Sequence, residues 1–442
     1  MTAHFIRAPF RFCLNCGIAY GGRARADFAK LSTLGSEGRS TATTVLSLSA
    51  VRHLRHQSEM PSEARKLLSF TDNRQDASLQ AGHFNDFVEV GLLRSALFRA
   101  AEAAGATGLT HDVLTQKVFD ALDLPLPLYA LDAAVRYAAL AATQRALRDV
   151  LGYRLYRDLR RGWRIMSPNL EQTGLLRIEY ESLAELAGDD SEWRTRHQVL
   201  AQATPDVRTK VCKVLLDHLR RELCVKVDYL DQAFQERMTQ ASNQHLRPPW
   251  AIDENERLEH ASIALPRSAR AGDYGGWTHL SARGGFGQFL RRRGTFPGLA
   301  QPLTLGDTAV IIGDLLETLR VAGLTIKVRE PDGADDVPGY QVPAAALRWV
   351  ADSGTAVVHD PIRVPKAPEG GGRPNQFFLD FYRNAARDGH GLEAREHTAQ
   401  VPYEARMDRE KRFRTADLPV LFCSPTMELG VDIASLNVVN LR

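Results

Sequence analysis

The stretch from Leu418 to Arg442 constrains this chain more than any other. Leu418-Pro-Val-Leu-Phe-Cys423 is a short apolar run, Ser424 to Asp432 is a polar turn, and Ile433 to Arg442 carries a second apolar run. Short apolar runs bounded by turn residues fit strands buried on both faces, as parallel strands are. Open sheets of that kind place their ligands at the carboxyl ends of the strands. In this turn Thr426 can donate to a phosphate and Gly430 permits close backbone approach. Asp432 can accept from a ribose hydroxyl or orient a catalytic water. The same spacing also suits an ordinary strand-to-helix turn with a polar cap.

A second strand-to-helix unit lies far upstream. Leu67 to Phe70 is apolar, Thr71 and Asp72 can cap a helix, and that helix continues through Ala77, Leu79 and Phe84 toward Leu97. Residues 23–44, rich in Gly, Ser and Thr, read as loop, and Val45 to His56 as a helix. Residues 100–260 are helix-rich, with apolar residues spaced by three and four over 110–122, 132–151 and 207–227. Residues 264–305 read as loop or linker. Asp307 to Ala322 is expected to be a helix stopped at Gly323. Strands at 324–328 and 340–342 and a short helix at 343–350 follow, an order that resembles a winged helix. A helix at 375–387, a strand at 392–398 and a charged helix at 405–413 precede the closing strands.

The 442 residues suffice for two to four domains. A net charge of +3 permits nucleic-acid binding without arguing for it. No apolar run is long enough to span a bilayer, and Met1 to Arg7 lacks the apolar core of a signal peptide. Five cysteines in so long a chain do not make a disulfide framework, so a reducing cytoplasm is the expectation.

Three segments together resemble superfamily 2 helicases of the DEAD/DEAH-box class. Thr426 to Ile433 resembles motif V of that superfamily. Leu67 to Asp76 resembles motif IV, at the start of the second RecA-like lobe. Glu396-His-Thr-Ala-Gln400, with Arg406, Glu410 and Phe413, resembles the segment that precedes motif V. The wording of Phe70-Thr-Asp-Asn-Arg-Gln-Asp76 is similar to large bacterial helicases, including those of DISARM-like phage-defence systems.

The resemblance implies an α/β fold: a RecA-like parallel-sheet lobe over 40–98 and 375–442. It is interrupted by a helical insertion at 99–263 and by a linker with a winged-helix-like unit at 264–374, and residues 1–39 form an N-terminal segment. It implies that Glu428, Gly430 and Asp432 face ATP and that Thr71, Asn73, Arg74, Thr398, Ser424 and Thr426 face nucleic acid, DNA foremost. ATP and Mg²⁺ would bind only together with a first lobe, supplied by another chain or lost by truncation.

The departures from the family matter equally. No Gly-x-x-x-x-Gly-Lys-Ser/Thr occurs. Gly284-Gly-Phe-Gly287 lacks the lysine of a phosphate loop. Asp253-Glu-Asn-Glu256 only superficially resembles a DEAD box, because it follows Pro248-Pro-Trp250 rather than an apolar strand. The arginine-rich motif VI is expected just beyond Arg442. Phosphoryl transfer needs a lysine, Mg²⁺ and often an arginine finger on the phosphates, so this chain alone is expected not to hydrolyse ATP. The competing reading is a non-enzymatic nucleic-acid-binding or interaction protein that keeps a decayed helicase lobe.

Cys13-Leu-Asn-Cys16-Gly17 has the spacing of half a zinc site, which needs four ligands. Arg160-Arg161 with Trp163-Arg164, and Arg291-Arg-Arg293 beside Phe289, could pair phosphates and stack bases. Solvated arginines beside a buried ring are the plainer reading. Lys327 and Arg329 would lie on the wing.

Overall fold

The computed structural model describes residues 36–71, 73–160, 167–253, 256–273, 275–299, 301–333, 336–365, 372–424 and 438–441. The strands among them are β1 (Leu67–Phe70), β2 (Leu176–Tyr180), β3 (Val225–Lys226), β4 (Ile263–Leu265), β5 (Trp277–His279), β6 (Ile326–Arg329), β7 (Gly339–Pro343), β8 (Leu347–Ala351), β9 (Ala394–His397), β10 (Val420–Cys423) and β11 (Val438–Leu441). The fold is mixed α/β.

Four strands from opposite ends of the chain form one all-parallel sheet in the order β11-β1-β10-β9. β1 therefore sits between the two closing strands, with Leu67 opposite both Val420 and Val438. The two-residue period explains why the central strands β1 and β10 are apolar at nearly every position, since both of their faces are covered. Leu67, Val420 and Phe422 face the main core, where Phe422 meets the Phe84 ring edge-on at 6.5 Å between centroids. Leu68, Leu421 and Cys423 face the other way and pack with Phe413 of the helix Tyr403–Arg414.

From β1 the chain enters a single helix, Arg74–Ala104, 31 residues long. Its first turns cover the sheet. Over Phe87 to Phe98 every residue is buried, so it has no solvent face and becomes the axis of the insertion. It runs beyond the expected stop at Leu97 because this all-round burial continues, ending at Gly105, whose φ of 64° suits glycine. The helix Gln376–Asp388 lies against it at Gly91, where an added Cβ would come within 2.4 Å of the Phe381 ring.

Buried charge joins the same layers. Arg94 is 2% exposed and Asp158 9%, with Nη2 and Oδ1 2.6 Å apart. The Arg94 Nη1 donates to Tyr382 Oη at 2.8 Å and to the carbonyl oxygen of Pro168 at 3.1 Å. Burial alone would push this guanidinium down; the Asp158 carboxylate and Tyr382 more than offset it and hold it above its ordinary value.

The insertion is helix-rich as expected, with Tyr137–Asp158, Pro205–Arg221 and Gln232–His245 among its helices. Four expectations are corrected. Residues 36–44 are helical, within Ser36–His56. Thr44 there is held by Gln80 Nε2 at 2.9 Å and by His83 Nδ1 at 2.8 Å, which offsets the weak helix preference of Ser and Thr. The helix expected over 207–227 stops at Arg221, and Val225–Lys226 pairs with β7. The expected linker 264–305 contains β4, β5 and the helix Gly285–Leu290. The short helix expected at 343–350 is a single 3-10 turn, Ala344–Ala346, followed by β8, which pairs antiparallel with β2. Leu347 and Trp349 alternate into the core, and that burial overrides the helical preference of the alanines.

The helix Leu305–Val321 opens with a Thr304/Asp307 capping box and leads into the β6-β7 hairpin. β7 also pairs with β3 and β4. Among the described residues no helix is long and apolar enough to cross a membrane.

Candidate functional site

The parallel register brings three of the expected residues into one row. Phe70, Cys423 and His397 are partners across β1, β10 and β9. The residues that follow them, Thr71, Ser424 and Thr398, occupy the same rung at the carboxyl edge, on strands about 4.8 Å apart. All three are buried, at 1%, 1% and 4% exposure.

Thr71 is absorbed by the turn. Its N–H donates to the Cys423 carbonyl at 2.8 Å, extending the ladder by one residue. Its hydroxyl donates to the carbonyls of Asn73 at 3.0 Å and Cys423 at 3.3 Å. The helix cap expected from Thr71 and Asp72 falls instead to Asn73, whose Oδ1 accepts from the Asp76 N–H at 2.9 Å. Asp72 lies outside the described residues. Arg74 is exposed on the first turn, where a cation opposes the helix dipole. That placement costs a few tenths of a kcal/mol or more.

His397 ends β9 at the same edge. Its Nε2 lies 2.8 Å from Glu410 Oε1 on the charged helix, and the imidazole is 8% exposed. Among the described residues its Nδ1 is buried with no hydrogen-bond partner. Leaving a buried nitrogen unpartnered costs about 1–3 kcal/mol. The His-Thr pair and Glu410 were both visible as motif members, but nothing local in the sequence says that they touch across thirteen positions. Arg409 braces the turn by donating to the Glu396 carbonyl at 2.6 Å. Cys423, beside His397, is not a nucleophile: burial, aided by Glu410, pushes its thiol up to about 12.

Thr426, Glu428, Gly430 and Asp432 lie outside the described residues, as do Cys13 and Cys16 and the Arg161, Trp163, Arg164 patch. Among the described residues no group of three or more His, Cys, Asp or Glu side chains could hold a metal ion. Cys212 and Cys224 are buried core thiols, each pushed up to about 12 by desolvation.

The remaining candidates take structural roles. Glu256, the last residue of the rejected DEAD-box look-alike, pairs with Arg154 and Arg157 at 2.5 Å each. Phe289 is 3% exposed and stacks on Phe286, so it offers no face to a base. On the hairpin, Lys327 lies 3.8 Å from Glu317 and Arg329 pairs with Asp336. The outward residues of the preceding helix include Asp307 and Val310. Both named cations of the hairpin therefore face a carboxylate.

Comparison with protein-family models, with curated proteins and with solved structures gave no match to this chain.

Proposed function

We propose that residues 36–104 and 376–441 are the second RecA-like lobe of an ATP-dependent nucleic-acid helicase or translocase of superfamily 2. One observation carries the reading. The strand ends at Thr71, Thr398 and Ser424 belong to three motif-like segments, the first more than 300 residues from the other two. They converge on one carboxyl edge of a parallel sheet, the edge where such sheets bind ligands. Buried hydroxyls, an orphan imidazole nitrogen and an exposed arginine at a capped helix start share that edge.

In this reading Arg74 meets a phosphate of the nucleic acid, His397 is held by Glu410 for a polar ligand, and Asn73 fixes the helix start beside them. Glu428, Gly430 and Asp432 are assigned to ATP by resemblance alone, and no step is derived through it. The described residues include no phosphate loop, so hydrolysis requires groups from a first lobe.

The test is nucleic-acid-stimulated ATPase activity, measured on this chain alone and mixed with the product of the adjacent reading frame. The expected result is activity only in the mixture, abolished by Asp432→Ala and weakened by His397→Ala. Salt-dependent oligonucleotide binding with no ATPase in any mixture would overturn the motor reading and leave a binding module.

A further inference from the structure

A second basic feature lies in the insertion, away from the sheet edge. Lys210, Lys213 and Arg221 line one side of the helix Pro205–Arg221, and Arg292 faces them across a cavity of about 500 Å³ closed by the loop at His359 and Asp360. An adjoining cavity of about 360 Å³ is lined by Arg291, Arg292 and Arg293. Arg292 lines both, so the two cavities adjoin at its side chain and together make a basic groove.

The carboxylates in the groove are already committed. Asp217 Oδ1 accepts from Tyr180 at 2.8 Å and from Arg220 at 2.8 Å. Asp360 Oδ1 accepts the N–H groups of Ile362 and Arg363, and its Oδ2 lies 3.3 Å from Arg221. The cations are less fully engaged. Lys213 Nζ donates to the Ile178 carbonyl at 2.7 Å and lies 3.8 Å from Asp217, although an ammonium has three protons to place. Arg292 donates to the Pro361 carbonyl. Lys210 and Arg293 are exposed. Burial holds both Lys213 and Arg292 below their ordinary values, with Asp217 and Asp360 offsetting only part of it. Four cations against two carboxylates line the first cavity, and three arginines with no carboxylate line the second, so positive charge exceeds its local compensation in a concave site, and such sites concentrate anions.

We propose that this groove binds the phosphodiester backbone of a single nucleic-acid strand. Cations along two adjoining cavities suit successive phosphates rather than one small anion. Phe289 and Phe296 are buried and offer no face to a base, so the contacts are chiefly to phosphates, which carry no sequence information. The inference rests on the nucleic-acid reading above only for the identity of the polyanion.

The experiment uses the full chain and a fluorescein-labelled oligothymidylate, followed by anisotropy from about 50 to 200 mM salt. Three phosphate contacts contribute a log–log salt slope of about 2, or roughly a 20-fold loss of affinity over that range. The variant Lys210→Gln/Lys213→Gln/Arg292→Gln should bind more weakly, with a slope shallower by about 2. Lys210→Glu, at an exposed position, should also weaken binding while melting like the parent. Unchanged affinity and slope in a variant with parental melting would overturn the proposal, as would displacement of the strand by equimolar thymidine monophosphate. If only Arg74→Gln abolishes binding, the groove fails and the motor reading stands. Binding through the groove without ATPase activity in any mixture leaves the groove intact and removes the motor.

Discussion

Replacing Asp158 by alanine tests whether the sheet lobe and the insertion share one core. Arg94 is 2% exposed, and its Nε and Nη2 both donate to Asp158, at 3.1 and 2.6 Å. Asp158→Ala leaves those donors without an acceptor and a full charge without a partner. Breaking a buried pair in this way costs about 3–5 kcal/mol, a large part of the 5–15 kcal/mol typical of a folded domain. The double substitution Arg94→Met/Asp158→Leu removes both charges. Tyr382 then keeps its own bond to the Pro168 carbonyl at 2.7 Å, so little else is orphaned. The double variant should therefore lie within about 1–2 kcal/mol of the parent. Denaturant midpoints for parent, singles and double, followed by tryptophan fluorescence, complete the cycle. A cost below about 1 kcal/mol for Asp158→Ala, the range of exposed pairs, would refute the reasoning. So would a double variant as unstable as the single.

Two further outcomes follow from packing and charge. Gly91→Val should destabilise by about 1–3 kcal/mol, because its Cβ would lie 2.4 Å from the Phe381 ring at a crossing of two buried helices; a parental denaturant midpoint would show that the helices part freely. Glu171 accepts from Arg220 at 2.6 and 2.8 Å, and although burial raises its carboxyl, Arg220 and Arg221 bring it below its ordinary value. A depressed folded value means its stabilisation is complete above the unfolded value of about 4.3 and is lost as pH falls through the folded one. Denaturant midpoints should thus fall more steeply with acid in the parent than in Glu171→Gln, and equal slopes would exclude the linkage.

β1, β10 and β11 were legible as short, mostly apolar runs beside polar turns, whereas the edge strand β9, Ala394–His397, carries Arg395 and Glu396 and lacks that signal. The insertion's helices were legible through their spacing. What failed depended on partners distant in sequence. Thr71 looks like a cap and becomes part of a ladder because the Cys423 carbonyl lies opposite it. The alanines at 344–346 look helical, but β2 captures the residues after them. At the site, His397 and Glu410 were readable as separate members of a pattern, whereas their contact and the orphan Nδ1 exist only once β9 and the charged helix are packed. The basic groove was half visible as Arg291 to Arg293; Lys210 and Lys213 join it only because the helix Pro205–Arg221 folds against that turn.

The sheet edge and the groove are linked through continuous structure. The helix capped by Asn73 at the edge runs about 46 Å, from its 31 residues at 1.5 Å each. Its Arg94 holds the carbonyls of Ser167 and Pro168. Three residues on, Glu171 holds Arg220 and Arg221 of the helix that lines the groove. The Arg94–Asp158 and Glu171–Arg220 pairs on this path are buried and bonded at more than one atom, so a shift there is not absorbed by one loose rotamer. Close-packed interiors respond to such shifts as units rather than by gradual deformation. On the motor reading, the insertion is tied to the lobe by this path, and its central element is the fully buried stretch from Phe87 to Phe98.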